Sequence, residues 1–416
     1  MTKIDALMRY FGHTSFRPAQ ETLIDTVLSG RDVLGVMPTG AGKSVCYQIP
    51  ALLLSGATLV VSPLISLMKD QVAQLKRGDI PAAFINSSLT TEQYREVLRR
   101  VGEGRYKIIY VAPERLETVD FLRFALETPI SLVAIDEAHC VSQWGQDFRP
   151  SYLKIAEFIE KLKVRPVVAA YTATATAAVK KDIIRLLSLI DPLSLTTGFD
   201  RPNLYFGVAR QEVKSRYFHE LIEQRGGMCG VVYCATRKTV DIVCDELRRR
   251  GIAASRYHAG LEDAERRGNQ DDFIQNRATV MVATNAFGMG IDKPDVRYVF
   301  HYNMPKNLES YYQEAGRAGR DGKPSECILL FSRDDIKTAE YFIKDSGKNE
   351  GLTERERRDV RHRDIVRLDK MVRYCEIDSC LRSYMLRYFG EKQKGKCGYC
   401  SNCNRESWLR RALARR

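Results

Sequence analysis

The run Met37-Pro38-Thr39-Gly40-Ala41-Gly42-Lys43-Ser44 follows an apolar stretch at 33–36 and leads into 45–54, which can continue as a helix. A strand, a glycine loop and a helix in that order suit phosphate recognition. Backbone N–H groups and the helix N-terminus face the anion, Lys43 reaches the β- and γ-phosphates, and the Ser44 hydroxyl can ligate Mg²⁺. Thr39, Gly40 and Gly42 form the loop, and Met37 stands where the usual pattern has glycine. Further along, the apolar stretch 132–135 delivers Asp136-Glu137-Ala138-His139. The carboxyl end of a strand is where open α/β sheets gather ligand chemistry. Asp136 can hold Mg²⁺ through its shell, and Glu137 can orient or deprotonate an attacking water. Asp-Glu alone is more commonly a solvated turn. Paired with Lys43-Ser44 it points to ATP hydrolysis.

A second cluster lies in Tyr311-Tyr312-Gln313-Glu314-Ala315-Gly316-Arg317-Ala318-Gly319-Arg320-Asp321-Gly322. Gln313, Arg317 and Arg320 are spaced i, i+4 and i+7, one stripe if the segment is helical. Two guanidinium groups on one face, aimed across a lobe interface at a γ-phosphate, would stabilise charge developing in the transition state. A third cluster, Cys397-Gly398-Tyr399-Cys400-Ser401-Asn402-Cys403, sets three thiols at metal-ligand spacing, with Cys375 and Cys380 upstream. Such thiolates can converge on one tetrahedral Zn²⁺. An iron–sulfur cluster uses similar spacing. On a helix, Cys375 and Cys380 point apart, so only one of them is expected to bind.

These residues need scaffolds. Apolar runs at 32–37, 58–62, 107–112, 132–135 and 167–172, each followed by helix-like sequence, suit buried parallel strands. A second series at 230–233, 253–257, 279–283, 297–301 and 327–331 follows the polar stretch 197–203. The expected fold is α/β, two tandem parallel-sheet lobes followed by a small helical region that carries the cysteines. The expected boundaries are 1–200 for the first lobe, 201–337 for the second, and 338–416 for the helical region with its basic tail. In that tail Trp408, Leu409, Ala412 and Leu413 can form an apolar stripe.

At 416 residues, 44% hydrophobic and 28% charged, the chain is too long for a lone binding module and too apolar for a disordered one. The uncharged window 49–68 is chopped by Pro50, Gly56 and Pro63, unlike a membrane span. Asp5 and Arg9 interrupt the N-terminus before any signal-peptide core, so a cytoplasmic, nucleoid-associated or nuclear location is expected. Eleven scattered cysteines do not read as a disulfide framework. Sixty-five Lys/Arg against 52 Asp/Glu leave +13, which makes polyanions plausible partners.

The wording of these motifs resembles the RecQ family of superfamily-two DNA helicases. The matching stretches include Phe16-Arg17-Pro18-Ala19-Gln20, 37–44, Val61-Ser62-Pro63-Leu64-Ile65-Ser66-Leu67, 136–139, Thr172-Ala173-Thr174-Ala175, Tyr257-His258-Ala259-Gly260, 286–294 and 313–322. They run in family order over almost the whole chain, Met37 is what the family has in its loop, and the resemblance implies an α/β fold of two tandem RecA-like parallel-sheet lobes followed by a small helical zinc-binding domain. The resemblance implies that Gln20, with Arg17, reads the adenine base and that Arg320 is an arginine finger supported by Arg317. It also implies that Trp144, Phe148 and Arg149 belong to an aromatic-rich loop contacting DNA. Gln146 stands where the family commonly has histidine. Among the cysteines the resemblance favours Cys380 with Cys397, Cys400 and Cys403, and Zn²⁺ over iron; the nearby Lys392, Lys394 and Lys396 are candidate phosphate contacts or plain surface.

The implied function is an ATP- and Mg²⁺-dependent motor that moves 3′ to 5′ on single-stranded DNA, opens duplexes and acts on branched DNA, with a monomer favoured. Family members usually continue into a winged-helix domain, for which residues 404–416 are too few, so weak unwinding of long duplexes is expected. The rival readings are an RNA helicase of related fold and a zinc-containing DNA-binding protein with vestigial ATPase lobes. Intact Lys43, Asp136, Glu137 and Arg320 argue against the latter.

Overall fold

The computed structural model describes residues 1–143, 145, 148–210, 214–287, 293–346, 353–393 and 395–404. Trp144, Gln146, Lys394 and the tail stripe from Trp408 to Leu413 lie outside the described residues, as do 288–292 of the resembling stretch 286–294. The chain divides into two units, Met1–Gly198 and Phe199–Arg416.

In the first unit, β1 (Val33–Val36), β2 (Ala57–Val61), β3 (Ala82–Ile85), β4 (Ile108–Val111), β5 (Ile130–Ile135), β6 (Val167–Thr172) and β7 (Leu193–Thr196) form one sheet. Its order is β3-β4-β2-β5-β6-β1-β7, and the pairings are parallel. β1, β2 and β4 are buried at every residue, so these strands read as continuous apolar runs without alternation. β1 lies beside β6 with Val36 opposite Thr172, and β6 lies beside β5 with Ala170 opposite Ile135. The carboxyl ends of three adjacent strands therefore open on one rim.

Buried Asp32 clips the opposite end of this layer. Its carboxylate accepts from Arg165 Nη2 at 2.6 Å and from the backbone N–H groups of Val168 and Ile190, each at 2.8 Å. One charge thus ties the start of β1 to β6 and to the chain entering β7.

In the second unit, β8 (Leu204–Arg210), β9 (Gly230–Tyr233), β10 (Ala254–Tyr257), β11 (Val280–Ala283), β12 (Tyr298–His301) and β13 (Ser325–Phe331) pair in parallel, in the order β10-β11-β9-β12-β13-β8. The helices Arg333–Ser346, Glu354–Glu376 and Leu381–Tyr388 follow. Thr353 and Glu356 close a capping box at the start of the second of these. The cysteine loop joins the outer side of β8, where the Ser401 N–H donates to the Phe206 carbonyl at 2.9 Å and the Val208 N–H donates to Ser401 Oγ at 3.3 Å.

β3, β7 and β8 are not among the strands expected from the apolar runs. β3 is short and half alanine, and β7 alternates half-buried with exposed residues at the sheet edge. β8 carries Gly207 and emerges directly from the polar stretch.

The stripe of Gln313, Arg317 and Arg320 does not form. The helix Leu308–Ala315 stops before Arg317. Gly319 adopts φ +55°, and a Cβ there would stand 2.8 Å from the Lys323 carbonyl and 2.5 Å from the Asn203 amide. The chain leaves the helix through this glycine-dependent turn. Arg317 and Arg320 sit on a tight turn instead of a helix face.

Candidate nucleotide site and four-cysteine cluster

At the end of β1 the loop turns through Gly40 and Gly42, both left-handed at φ +83° and +80°. A Cβ on Gly42 would run into the Gln20 amide. Gln20 is buried, at 7% exposure, because it braces the loop. Its Nε2 donates to the Ala41 carbonyl at 3.3 Å and the Gly42 carbonyl at 3.2 Å, while its Oε1 accepts the Arg17 N–H at 3.0 Å. The Arg17 guanidinium donates to the Gly40 carbonyl at 2.8 Å. An adenine edge read by Gln20 would have to compete with the two loop bonds. Lys43 Nζ lies 3.1 Å from the Met37 carbonyl, which keeps the ammonium within the loop, and Ser44 occupies the N-cap position of the helix Val45–Leu53.

The acids stand at the end of β5. Asp136 is 8% exposed, and burial, then the neighbouring Glu137 charge, push its carboxyl up to about 7, with Lys43 pulling the other way. A buried acid beside Lys43, with the Ser44 hydroxyl at the adjoining helix start, is a donor set that suits a hard divalent cation such as Mg²⁺. Glu137 is held at φ +48°, a left-handed conformation costly for a non-glycine residue and common at functional sites. His139 Nδ1 lies 2.9 Å from Thr172 Oγ1 and 3.3 Å from Glu137 Oε2, and the Thr172 hydroxyl donates to the Thr174 carbonyl at 3.1 Å. His139 and Thr172 were not singled out from the sequence as site residues. Their signal was present in the runs 136–139 and 172–175, but only strand order makes them neighbours.

Of the aromatic-rich loop, Phe148 and Arg149 are half-buried. The Arg149 guanidinium donates to the Pro63 carbonyl at 2.7 Å, and its N–H donates to the Cys140 carbonyl at 2.9 Å. Arg149 thereby ties this loop to the stretch after β2.

In the second unit, Arg317 is 8% exposed, while Gln313 and Arg320 are half-buried. A residue that sequence reasoning passed over lies beside them. The Arg201 guanidinium donates to the carbonyls of Gly316, Ala318 and Gly319 at 3.3, 3.1 and 2.9 Å. The Asn203 amide adds a bond to Gly319 at 2.8 Å. Both residues belong to the polar region read from sequence as a boundary.

Cys380, Cys397, Cys400 and Cys403 bring their sulfurs within 4.8 Å of one another. Cys397 and Cys403 are 3.9 Å apart, and Cys400 and Cys380 are 4.0 Å apart. Tetrahedral thiolates around one zinc stand about 3.8 Å apart, so the donor set and its spacing fit Zn²⁺. The neighbouring thiols split the charge between them: Cys397 beside it holds Cys400 down, while Cys397 itself is pushed up. Cys375, wholly buried in the helix Glu354–Glu376, is not in this group. Lys392 and Lys396 are exposed.

Three families match in order along the chain: the DEAD/DEAH box helicase family at 17–183, the helicase conserved C-terminal domain at 213–322 and the RecQ zinc-binding family at 333–404. The chain is 47% identical over 95% of its length to a Bacillus subtilis protein named "ATP-dependent DNA helicase RecQ", covering 66% of that protein. It is 39% identical to the same organism's "Probable ATP-dependent DNA helicase RecS", over 97% of this chain and 92% of that one. The chain spans about two thirds of the length of the RecQ relatives it matches. Among solved structures, Mss116p bound to single-stranded RNA and AMP-PNP shares the fold, with a TM-score of 0.68 at 17% identity over 93% of this chain and 89% of that one. No helix among the described residues is long and apolar enough to cross a membrane.

Proposed function

The chain belongs to the RecQ family of superfamily-two helicases, and on that premise we propose that it is an ATP-dependent DNA helicase that tracks 3′ to 5′ along single-stranded DNA. The observation that carries this reading is the rim of the first sheet. There β1 presents the Lys43 loop, β5 presents Asp136 and Glu137, and β6 presents Thr172, on adjacent strands.

The loop N–H groups and Lys43 take the β- and γ-phosphates of ATP, and Glu137 orients the attacking water. Ser44 and Asp136 hold Mg²⁺, which when bound neutralises charge on the phosphate oxygens. Arg320, supported by Arg317, meets the charge that develops on the transferred phosphoryl group. Trp144 and Phe148 stack on bases, with Arg149 fixing their loop. The cysteine cluster holds its zinc as a structural element, since metal binding at such sites is folding energy. Single-stranded and branched DNA are the substrates, and the DNA places the protein in the nucleoid or nucleus.

ATPase rate with and without single-stranded DNA, and with single-stranded RNA of the same length, tests this reading. Strong stimulation by DNA and weak stimulation by RNA are expected. Equal stimulation by RNA, or none by DNA, would overturn it.

A further inference from the structure

We infer that Arg201 is a positioning residue for ATP hydrolysis: it sets the turn that carries Arg317 and Arg320, and it is itself held in place by Arg382 at the head of the cysteine-capped helix. This rests on the reading of Arg317 and Arg320 as the groups that meet phosphoryl charge.

The helix Leu308–Ala315 ends just before Arg317, so the carbonyls of the turn that follows it are not taken up by a continuing helix. Buried backbone acceptors must be satisfied some other way. One guanidinium satisfies three of them, as Arg201 bonds Gly316, Ala318 and Gly319 together. The planar fork of arginine can span these acceptors, and the compact ammonium of lysine cannot reproduce that span. The shape of the turn, and with it the placement of Arg317 and Arg320, depends on where Arg201 stands.

Arg201 is held from behind. Arg382, 3% exposed, donates to the Arg201 carbonyl at 2.7 Å, to the Asp200 carboxylate and to the Leu204 carbonyl. It lies in the first turn of the helix Leu381–Tyr388, whose N-cap is Cys380. The Cys380 sulfur accepts the Ser383 N–H at 3.4 Å while belonging to the four-cysteine group. At the other end of that helix, Phe389 stacks on Phe199 with ring centroids 4.7 Å apart, and the Phe199 carbonyl accepts the Tyr312 hydroxyl at 2.8 Å.

The helix leading into the turn is gripped by the same region. Tyr388 donates to Glu309 at 2.7 Å, and Tyr374 donates to Tyr311 at 3.5 Å. Arg382, Glu309, Tyr311, Tyr312 and Arg317 are all buried. A buried guanidinium changes partners only at high cost, which makes this path stiff. The cysteine cluster thus supports turnover at the arginine turn as well as folding.

The test compares Arg201→Lys, Arg320→Ala and the double variant at saturating single-stranded DNA. The readouts are kcat and KM for ATP, zinc per chain and melting temperature. Arg201→Lys is expected to lower kcat about tenfold or more with KM within about twofold, with zinc retained and melting lowered by no more than about 5 °C. In the Arg320→Ala background it should lower kcat no further, because the turn has lost the group it positions. Unchanged kcat in Arg201→Lys, or an equal loss in both backgrounds, overturns the proposal. Full kcat in Arg320→Ala removes the reading on which it rests, whatever Arg201→Lys does. Should Arg201→Lys lose zinc or fail to fold, Asp200→Asn takes its place. It frees one contact of Arg382 and leaves the turn's own bonds intact, and it should show a smaller kcat loss with the same dependence on Arg320.

Discussion

The His139 ring stands 2.9 Å from the Thr172 hydroxyl, and this contact joins the end of β5 to the end of β6 beside the glycine loop. The same ring nitrogen reaches Glu137, the acid proposed to orient the attacking water, which is thereby braced from the neighbouring strand. A site built on strand ends moves little when its braces are intact.

Thr172→Val removes the hydroxyl that His139 meets. ATP hydrolysis should fall about tenfold with KM changed less than twofold, since the bond orients a reacting group and does not hold substrate. Steady-state kinetics decide it, and an unchanged kcat would reduce the contact to packing.

Lys43→Ala and Glu137→Gln should each abolish DNA-stimulated hydrolysis, by about a hundredfold or more, without unfolding the protein. Glu137→Gln should still bind nucleotide in a fluorescence titration. Hydrolysis near the starting rate in either variant would sink the site assignment.

Gln20→Ala leaves the Ala41 and Gly42 carbonyls and the Arg17 N–H without their partner. The loop should loosen, weakening ATP binding by about 1–3 kcal/mol. Calorimetric titration with a non-hydrolysable analogue measures this, and unaltered affinity would mean that water replaces the amide at no cost.

Metal analysis should find about one zinc and no iron per chain. Cys380→Ser should lose it and Cys375→Ser should keep it. The opposite pattern would exchange their assignments.

Asp32→Ala removes a buried carboxylate shared by Arg165, Val168 and Ile190. A loss of about 3 kcal/mol in unfolding free energy is expected, while kcat per folded molecule stays the same because Asp32 lies at the opposite end of the strands from the rim. Denaturant melts of the first unit's transition check the former, and active-site titration the latter.

The pattern of the loop and the acids was legible because the phosphate cradle and metal-binding carboxylates proposed for them demand particular residues at short spacing, as in Gly40 to Ser44 and Asp136-Glu137. Buried strands were legible where they are continuously apolar. Edge strand β7 was not, since it is half in water, and β8 was not because it emerges directly from the polar stretch read as a boundary. Arg317 and Arg320 show a different limit. Their helical spacing is real, but a backbone that turns at Gly316 and Gly319 makes spacing irrelevant. Arg201 could not have been found at all. Its three acceptors are main-chain carbonyls more than a hundred residues away, and carbonyls leave no trace in residue identity.

The bridge between Ser401 and Phe206 has a consequence for how the protein would fail. β8 is the last strand of its sheet, and the outward amides of an edge strand can template another chain wherever nothing covers them. The cysteine loop sits on that rim, bonding to Phe206 and Val208. Stripping the metal would release the loop, so a zinc-depleted sample should self-associate edge to edge before its cores melt, and its loss of activity should steepen with protein concentration.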